Sequence, residues 1–450
     1  MNPETDNRLA DDLLRPVLHT SRGFYIAVAL FSSIVLCGAA TWGYQIYYGI
    51  GVTGYNWPVF WAFHETNFVF WIGISHAGTL ISAILRIVNA TWRRPVTRCA
   101  EVITAFALMI GAMFPLIHLG RPWLAWWLIP YPSERGLWPN YRSPLVWDFF
   151  AINTYLTASL LFLILPALPD FALIRDRTTG WRKRVYSILS MGWHGTPKQW
   201  HRLESAMHIM ALAIIPIAVS VHTIVSFDFS MALVPMWHST IFGPYFVAGA
   251  IFSGIAALII VMALLRKLLH LEAYLLPLHF QNLGKLMLTM SLLWGYFVFN
   301  ERLTIWYGNS PHEMTVFWST QTGKYAPLFW TMVLCNFVIP FPLLTIKRLR
   351  SITATVIASC GVVVGMWLER FLIIVPSLSR KAASFSWGSY TPRWPEIVIM
   401  VASFAGMALL YLLFSKLMPI ISIWELKVGQ HPQIKSAAKV QDAEAAGELV

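Results

Sequence analysis

Apolar runs of about twenty residues, with few or no charged side chains, recur along almost the whole chain and limit the folds it can adopt. A helix of that length crosses the hydrocarbon core of a bilayer, which is about 30 Å thick. With 57% hydrophobic and only 12% charged residues, the chain has too little polar surface for a soluble globule. Because the runs are too long and too uniformly apolar for barrel strands, we predict an all-α polytopic membrane protein.

The sequence predicts about ten transmembrane helices. They lie near residues 23–48, 66–88, 100–119, 146–168, 205–226, 243–266, 282–300, 327–346, 352–376 and 395–417. The third leaves the membrane as "LIHLGRPWLAWW" and the seventh as "VFNERLTIWYG", each an apolar run followed by a polar pair and an aromatic exit. This faint internal similarity predicts two four-helix bundles, helices 2–5 and 6–9, with helices 1 and 10 flanking them.

Lysine and arginine residues gather in alternate loops, which predicts the orientation of the chain. One set of loops holds Arg86, Arg93, Arg94, Arg98, Arg175, Arg177, Arg182, Lys183, Arg184, Lys198, Arg202, Arg266, Lys267, Lys347, Arg348 and Arg350. The other set holds far fewer, chiefly Arg121, Arg135, Arg142, Lys324, Arg380, Lys381 and Arg393. By the positive-inside rule, both termini lie in the cytoplasm. The net charge of +12 then reflects loops that face anionic lipid, and it does not require a nucleic-acid partner.

This orientation divides the chain into three parts. Residues 1–22 are polar and mixed in sign, so we expect a retained cytoplasmic N-terminal segment rather than a cleaved leader. Residues 23–420 form the transmembrane domain, and residues 421–450 form a short, mixed-charge cytoplasmic tail without a core.

The pattern of cysteines and glycines bears on cofactors. Cys37, Cys99, Cys335 and Cys360 stand singly, without a C-x-x-C or C-x-x-C-H motif. No glycine loop of the Walker or Rossmann type is present in the sequence. We therefore expect this chain itself to hold no iron–sulfur cluster, covalently attached haem, metal or nucleotide.

Ionisable residues at membrane depth are the candidates for function, because each costs roughly 2.5–3.5 kcal/mol on insertion scales. In the predicted topology the outer helix ends carry such groups on five helices: Glu65, His118, Asp148, Glu301 with Arg302, and Glu369 with Arg370. Charges at helix ends also snorkel to the headgroups, which is the alternative interpretation for each of them. For Asp148 and the Glu369–Arg370 pair, snorkelling would have to cross more apolar sequence, which favours a functional role.

An acid, a base and an arginine beside apolar walls suit the oxidation of a quinol, which loses two electrons and two protons. A histidine, or a carboxylate in a partly buried site, accepts such a proton. An arginine holds the carboxylate ionised or binds the quinone oxygen.

Histidines nearer the bilayer centre form a second group. His76 lies three helical turns from Glu65 on the same face, and it is either a proton relay or a structural histidine. Glu301 is a further relay candidate. His208 and His222 share the fifth predicted helix, a separation found for paired haem ligands in membrane cytochromes b, so a non-covalent haem protein is an alternative.

Four stretches resemble a known family: "PLIHLGRPWLAWW", "PLVWDFF", "HETNFVFWIGISHAGT" and "WLERFLIIV". Together they are similar to the polysulfide-reductase/NrfD-type membrane subunits, over roughly residues 20–420. Within that family, ten helices with both tails inside most resemble the C subunit of alternative complex III. The resemblance implies a quinol-oxidising (menaquinol or ubiquinol) subunit without cofactors of its own. It also implies that His118, Asp148 and Arg370 form the catalytic site, with Glu65 and Glu369 as further quinol-binding residues.

The resemblance also implies partners and a location. A periplasmic iron–sulfur subunit docks on the outer face, and multihaem cytochromes c carry electrons on to a terminal oxidase. The complex also includes a paralogous NrfD-like membrane subunit, and it lies in the bacterial inner membrane. Proton translocation is left open, and a secondary transporter is the rival class. Transporters usually bind near the midplane on broken helices, whereas here the ionisable groups gather at the outer end.

Overall fold

The computed structural model describes residues 3–129, 140–381 and 384–430. Helices form nearly all of it. In the first half of the chain they are α1 (Pro3–Leu18), α2 (Arg22–Tyr48), α3 (Phe63–Ile87), α4 (Thr97–His118), α5 (Pro144–Ile164), α6 (Leu168–Arg177), α7 (Gly180–Leu189) and α8 (Pro197–Ser230). In the second half they are α9 (Phe242–Leu268), α10 (Pro277–Gly308), α11 (Pro311–Gln321), α12 (Ala326–Val333), α13 (Pro340–Thr345), α14 (Ile352–Ser379), α15 (Trp394–Leu417) and α16 (Ile423–Gln430).

Nine helices among the described residues are long and apolar enough to cross a membrane, with Pro144–Arg177 and Ala326–Thr345 each counted as one span. The prediction of an all-α polytopic membrane protein is confirmed, whereas the predicted count was ten. The seventh predicted helix lies inside α10, which has 32 residues but is not among the nine. Lys285 and the two asparagines Asn282 and Asn300 lower the mean hydropathy of that helix.

Local sequence explains where several helices begin. The side chains of Ser21, Thr196 and Ser351 accept hydrogen bonds from backbone N–H groups in the first turns of α2, α8 and α14. Proline, which has no N–H to leave unpaired, occupies the first position of α5, α8, α10 and α11. The eighth predicted helix is interrupted by a π-helical turn at Leu334–Val338, between α12 and α13.

Helix α3 is the centre of the molecule, because 94% of its span is buried. It packs against α4, α8 and α9. Helices α3, α4, α5 and α8 close one ring of contacts, and α9, α10, α13 and α14 close another. These contacts support the arrangement of two bundles, which stays a prediction. Helices α2 and α15 pack against each other at the side of the first ring.

One end of the bundle, here named the basic end, holds the loops rich in arginine and lysine. Glu425 of α16 forms ion pairs with Arg86 and Arg93 there, and Thr97 also donates to it. The N-terminal helix α1 packs on α15 and α16, and Asp11 pairs with Arg177. Both terminal segments are therefore attached to the basic end. Within the predicted tail, Ile423 and Glu425 are buried, and residues 431–450 lie outside the described residues.

Candidate functional site

A cavity of about 520 Å³ lies between α3, α4, α5 and α8, at the end of the bundle opposite the basic end; we name that end the cavity end. Its walls are mostly apolar and include Trp61, Phe68, Phe114, Leu145, Ile152 and Phe229. Its polar residues are His64, Glu65, His118, Asp148, Asn153 and Asp228. An apolar cavity with a few convergent polar groups is the usual form of a small-molecule site.

The first polar group in the cavity is a histidine–carboxylate pair. His118 is the last residue of α4, and its Nδ1 lies 2.6 Å from Oε1 of Glu65, in the first turn of α3. The other oxygen, Glu65 Oε2, accepts from the backbone N–H of Ala62 at 2.8 Å and from the Tyr55 hydroxyl at 3.2 Å. These bonds fix the carboxylate, so the carboxylate in turn orients the His118 imidazole.

Tyr55 lies in the loop before α3 and supports this pair. Its hydroxyl accepts the backbone N–H of His64 at 3.0 Å while it donates to Glu65. Burial, and then the carboxylate of Glu65, raise the pKa of Tyr55 well above its usual value. Tyr55 therefore stays protonated and remains a hydrogen-bond donor at working pH.

The second polar group is a pair of carboxyl groups. Asp148 on α5 lies beside Asp228 on α8, and the two side chains interact directly. Asp148 is only 5% exposed, and apart from Asp228 no described residue donates a hydrogen bond to its oxygens. A buried carboxyl with a second acid beside it is a candidate group for proton uptake and release. The cavity thus holds two separate pairs of ionisable groups, His118 with Glu65 and Asp148 with Asp228.

The structure places Glu369, Arg370 and Glu301 elsewhere. Glu369 Oε1 accepts from the Tyr245 hydroxyl at 2.5 Å and from the Trp294 indole N–H, and Glu369 Oε2 lies 3.2 Å from Arg370 Nη1. This second cluster lies between α9, α10 and α14, and none of its members lines the cavity. Glu301 of α10 is buried near it, with Oε2 3.9 Å from Arg302 Nε.

Aromatic rings lie between Arg370 and the cavity. The Arg370 guanidinium lies 4.7 Å from the centroid of the Phe246 ring, and Phe246 lies 5.6 Å from Phe229, which lines the cavity. Of the residues expected in one site, Glu65, His118 and Asp148 therefore share the cavity, whereas Glu369 and Arg370 belong to the second cluster.

His76 lies in the middle of α3 against His222 of α8, with ring centroids 4.9 Å apart. Both histidines have no exposed surface, and none of their four ring nitrogens has a hydrogen-bond partner among the described residues. His208, by contrast, is exposed on α8. The two histidines considered as haem ligands therefore do not share a buried face.

Sequence reasoning missed Asp228 and Glu101. The fifth helix was predicted to end near residue 226, which left Asp228 in a loop, whereas α8 continues to Ser230 and brings it to the depth of Asp148. The signal was the acid in "HTIVSFDFS", one turn beyond the last apolar residue counted. Glu101 is 3% exposed in α4 and accepts from Ser82 at 2.7 Å.

A multi-pass helical membrane protein with a polar cavity at one end of a helical bundle is the class that the fold and site define. A family model for NrfD, the polysulphide reductase, matches residues 51–382. The chain belongs to the NrfD polysulphide reductase family.

Three relatives are similar over most of their length. A Halobacterium salinarum protein, provisionally named as the membrane C subunit of a dimethyl sulfoxide reductase, is 24% identical over 92% of this chain and 96% of its own. The C subunit of selenate reductase from Mesobacillus selenatarsenatis is 25% identical over 70% and 74%, respectively. The Hdr-like menaquinol oxidoreductase integral membrane subunit of Archaeoglobus fulgidus is 22% identical over 78% and 80%. Each is named as a subunit of a reductase or oxidoreductase.

Proposed function

We propose that this chain is the membrane subunit that binds and oxidises quinol in a respiratory oxidoreductase complex. The observation that carries the proposal is the apolar cavity with two proton-accepting pairs, His118 with Glu65 and Asp148 with Asp228. The name of the Archaeoglobus relative, which includes menaquinol, supports the same class of substrate.

The two pairs match the chemistry of a quinol, which becomes a quinone by losing two electrons and two protons. The His118 imidazole, oriented by Glu65, accepts the proton of one hydroxyl group. The Asp148–Asp228 pair accepts the proton of the other. The apolar walls hold the ring and the isoprenoid tail, and the two electrons leave for a partner protein.

The partner and the complex are part of the proposal. An iron–sulfur subunit docks at the cavity end, on the periplasmic side of a bacterial inner membrane, and passes electrons to cytochromes c. With a paralogous membrane subunit and a terminal oxidase, this is the organisation of alternative complex III. The excess of arginine and lysine at the basic end supports this orientation, with both termini in the cytoplasm.

Polar groups below the cavity support coupling to proton translocation. His76 and His222 lie against each other, and Arg370 is close enough to His222 for their charges to interact. Toward the basic end, the Tyr155 hydroxyl contacts the carbonyl oxygens of Ser75 and His76, and Ser82 then donates to Glu101. We propose His76 as the relay on this route, with Glu301 serving the second cluster.

The second cluster has a place in the proposal that differs from direct contact with quinol. Arg370 and Glu369 are separated from the cavity by Phe246 and Phe229, so Arg370 does not contact the quinol. Its positive charge acts instead on His222. Replacing Arg370 by lysine removes the planar guanidinium from the Phe246 face, and we expect proton movement to be more affected than quinol binding.

Substitution of the two pairs tests the quinol site. Asp148→Asn keeps the shape of the side chain and removes the base, so quinol:cytochrome c activity of the intact complex should fall on the order of a hundredfold or more. His118→Ala should be similarly inactive. Glu204→Gln, which changes an exposed acid on α8, is the matched control.

Assembly with partner subunits should survive in both variants, because the changed groups line a cavity rather than the packed interior. Near-normal turnover of the Asp148 and His118 variants in an intact complex would exclude this cavity as the quinol site. A chain that purifies alone, colourless and able to bind a solute would instead favour a secondary transporter.

A further inference from the structure

A second cavity, of about 400 Å³, lies at the basic end between α6, the loop before α8, and α16. We propose that it binds the phosphate headgroup of an anionic phospholipid. Its lining includes Arg175, Trp193, His194, Trp200, Trp424 and Lys427. This binding does not depend on the quinol site, which lies at the opposite end of the bundle.

The charge of the lining is positive once internal pairs are counted. Asp170 is held by Arg98 at 2.5 Å, and Asp176 pairs with Arg175 at 2.8 Å. Lys427 has no carboxylate partner among the described residues. Because the acids are neutralised within the protein, Lys427 is left as a free cation in this described part of the cavity, and an anion is the ligand that complements it.

Indole N–H groups add neutral donors at the same place. A Cβ placed on Gly195 would lie 3.7 Å from Trp200 Nε1 and 3.9 Å from Trp193 Nε1, so the two nitrogens converge on that residue. The backbone at Gly195 has a φ of +72°, a conformation that favours glycine and keeps this approach open. Neither indole nitrogen donates to a protein group among the described residues. Two such donors beside a lysine suit the oxygens of a phosphate.

The neighbouring helix α7 places the cavity at headgroup depth. Trp181, Ile188 and Met191 are 71%, 77% and 75% exposed, whereas Arg182, Lys183 and Arg184 occupy the same short segment. A short helix with exposed apolar and basic side chains lies in the plane of the interface. Phe171 and Tyr186 connect α7 to α6 with ring centroids 6.1 Å apart. Acyl chains therefore have an apolar surface beside the headgroup, which favours a lipid over free phosphate.

Native mass spectrometry of the full-length protein in detergent tests the site. Phosphatidylglycerol and phosphatidylcholine with identical acyl chains are titrated separately, and inorganic phosphate is added as a competitor. We expect phosphatidylglycerol to bind more tightly than phosphatidylcholine. Lys427→Gln should weaken the phosphatidylglycerol complex about fivefold, the effect expected of one cation near the membrane surface. Lys267→Gln, an exposed cation at the same end but outside the cavity, should leave it unchanged.

Three results would overturn the proposal. The first is equal affinity for the two lipids. The second is a Lys427 variant that binds like the wild type while retaining its melting temperature. The third is displacement of the lipid by inorganic phosphate at similar concentrations, which would assign the cavity to a free phosphate ion. A Trp200→Phe variant keeps an aromatic ring, although a smaller one, and removes one N–H. It should weaken the binding of phosphatidylglycerol while the protein stays folded, which separates headgroup recognition from loss of folding.

Discussion

Asp228 belongs to one of the two ionisable pairs in the cavity, so a change at this single residue tests the Asp148 pair without the His118 pair. Asp228→Asn leaves His118 and Glu65 unchanged but deprives Asp148 of its partner acid. We expect the kcat for quinol oxidation to fall on the order of a hundredfold, with a smaller change in KM, because the apolar walls that bind the ring remain. Steady-state kinetics with the intact complex measure both parameters, and Glu204→Gln on the same helix is the control. An unchanged kcat across the pH range would show that Asp148 does not depend on Asp228.

His76 is predicted to affect proton movement rather than quinol binding. It is separated from the cavity and lies against His222, with no hydrogen-bond partner among the described residues for either ring nitrogen. His76→Gln removes the titratable group, so quinol affinity should stay nearly unchanged while turnover or proton uptake falls. Proton uptake by proteoliposomes measures the second quantity, with exposed His208→Gln as control. Loss of quinol binding together with loss of the folded protein would instead identify His76 as a packing residue.

Membrane depth alone predicted three of the cavity residues. Glu65, His118 and Asp148 lie at helix ends whose positions follow from the apolar runs, so one level of the membrane contains them all. Depth does not give the direction of a side chain around its helix, and for that reason Arg370 was expected beside Asp148 although it points toward Phe246. Asp228 was missed because hydropathy places helix ends poorly where polar residues continue the helix.

Close approach between helices makes another prediction at the level of the element. A Cβ on Gly78 of α3 would lie 1.9 Å from the Ala100 carbonyl oxygen and 2.4 Å from Thr104 Oγ1 of α4. Gly78→Ala must therefore push α3 and α4 apart, at a cost on the order of 1–3 kcal/mol. Thermal unfolding in detergent should show a lower Tm, whereas Gly43→Ala on α2, where no atom lies within 4 Å, should not. Equal Tm values would show that the two helices are less closely packed.

The apolar runs predicted the spans but not their irregularities. The π-helical turn at Leu334–Val338 contains Asn336, whose backbone carbonyl oxygen accepts from the Ser291 hydroxyl and whose side-chain N–H donates to the Met366 sulfur. Such a turn depends on contacts with α10 and α14, and the local sequence pattern does not indicate these contacts. The packing of α1 was missed for a similar reason, because its apolar stripe of Leu9, Leu13 and Val17 is too short for a membrane span.

At the scale of the whole molecule, the ion pairs of Glu425 hold the C-terminal segment against the end of α3 and the α3–α4 loop. Burial alone would raise the pKa of Glu425, but Arg93 and Arg86 outweigh it and hold the pKa below the usual value. A lowered pKa means stability that is present above the unfolded pKa and is lost as the pH falls through the folded value. Glu425→Gln should lower stability on the order of 3 kcal/mol at neutral pH.

The difference in melting temperature between wild type and Glu425→Gln, followed against pH, checks this sign. It should be constant above about pH 4.5, the usual value for a glutamate, and should shrink at lower pH as the carboxylate is protonated. Glu272→Gln, a change of acid in the loop between α9 and α10, is the control. A difference that grows as the pH falls would mean that Glu425 is protonated in the folded protein.

The pairing of α2 with α15 has a consequence for how the chain is made. The ribosome delivers α2 to the membrane first, and at roughly 5–20 residues per second its partner emerges some tens of seconds later. During that time α2 is surrounded by lipid alone. Its sequence permits this, because no charged residue follows Arg22 within the helix and only 6% of its span is buried. Helix α3 carries Glu65 and His76, which are costly to expose to lipid. Its main contact, α4, is the next span to be synthesised. Of these two helices, the one without charged residues beyond its first position is thus the one whose main partner is synthesised much later.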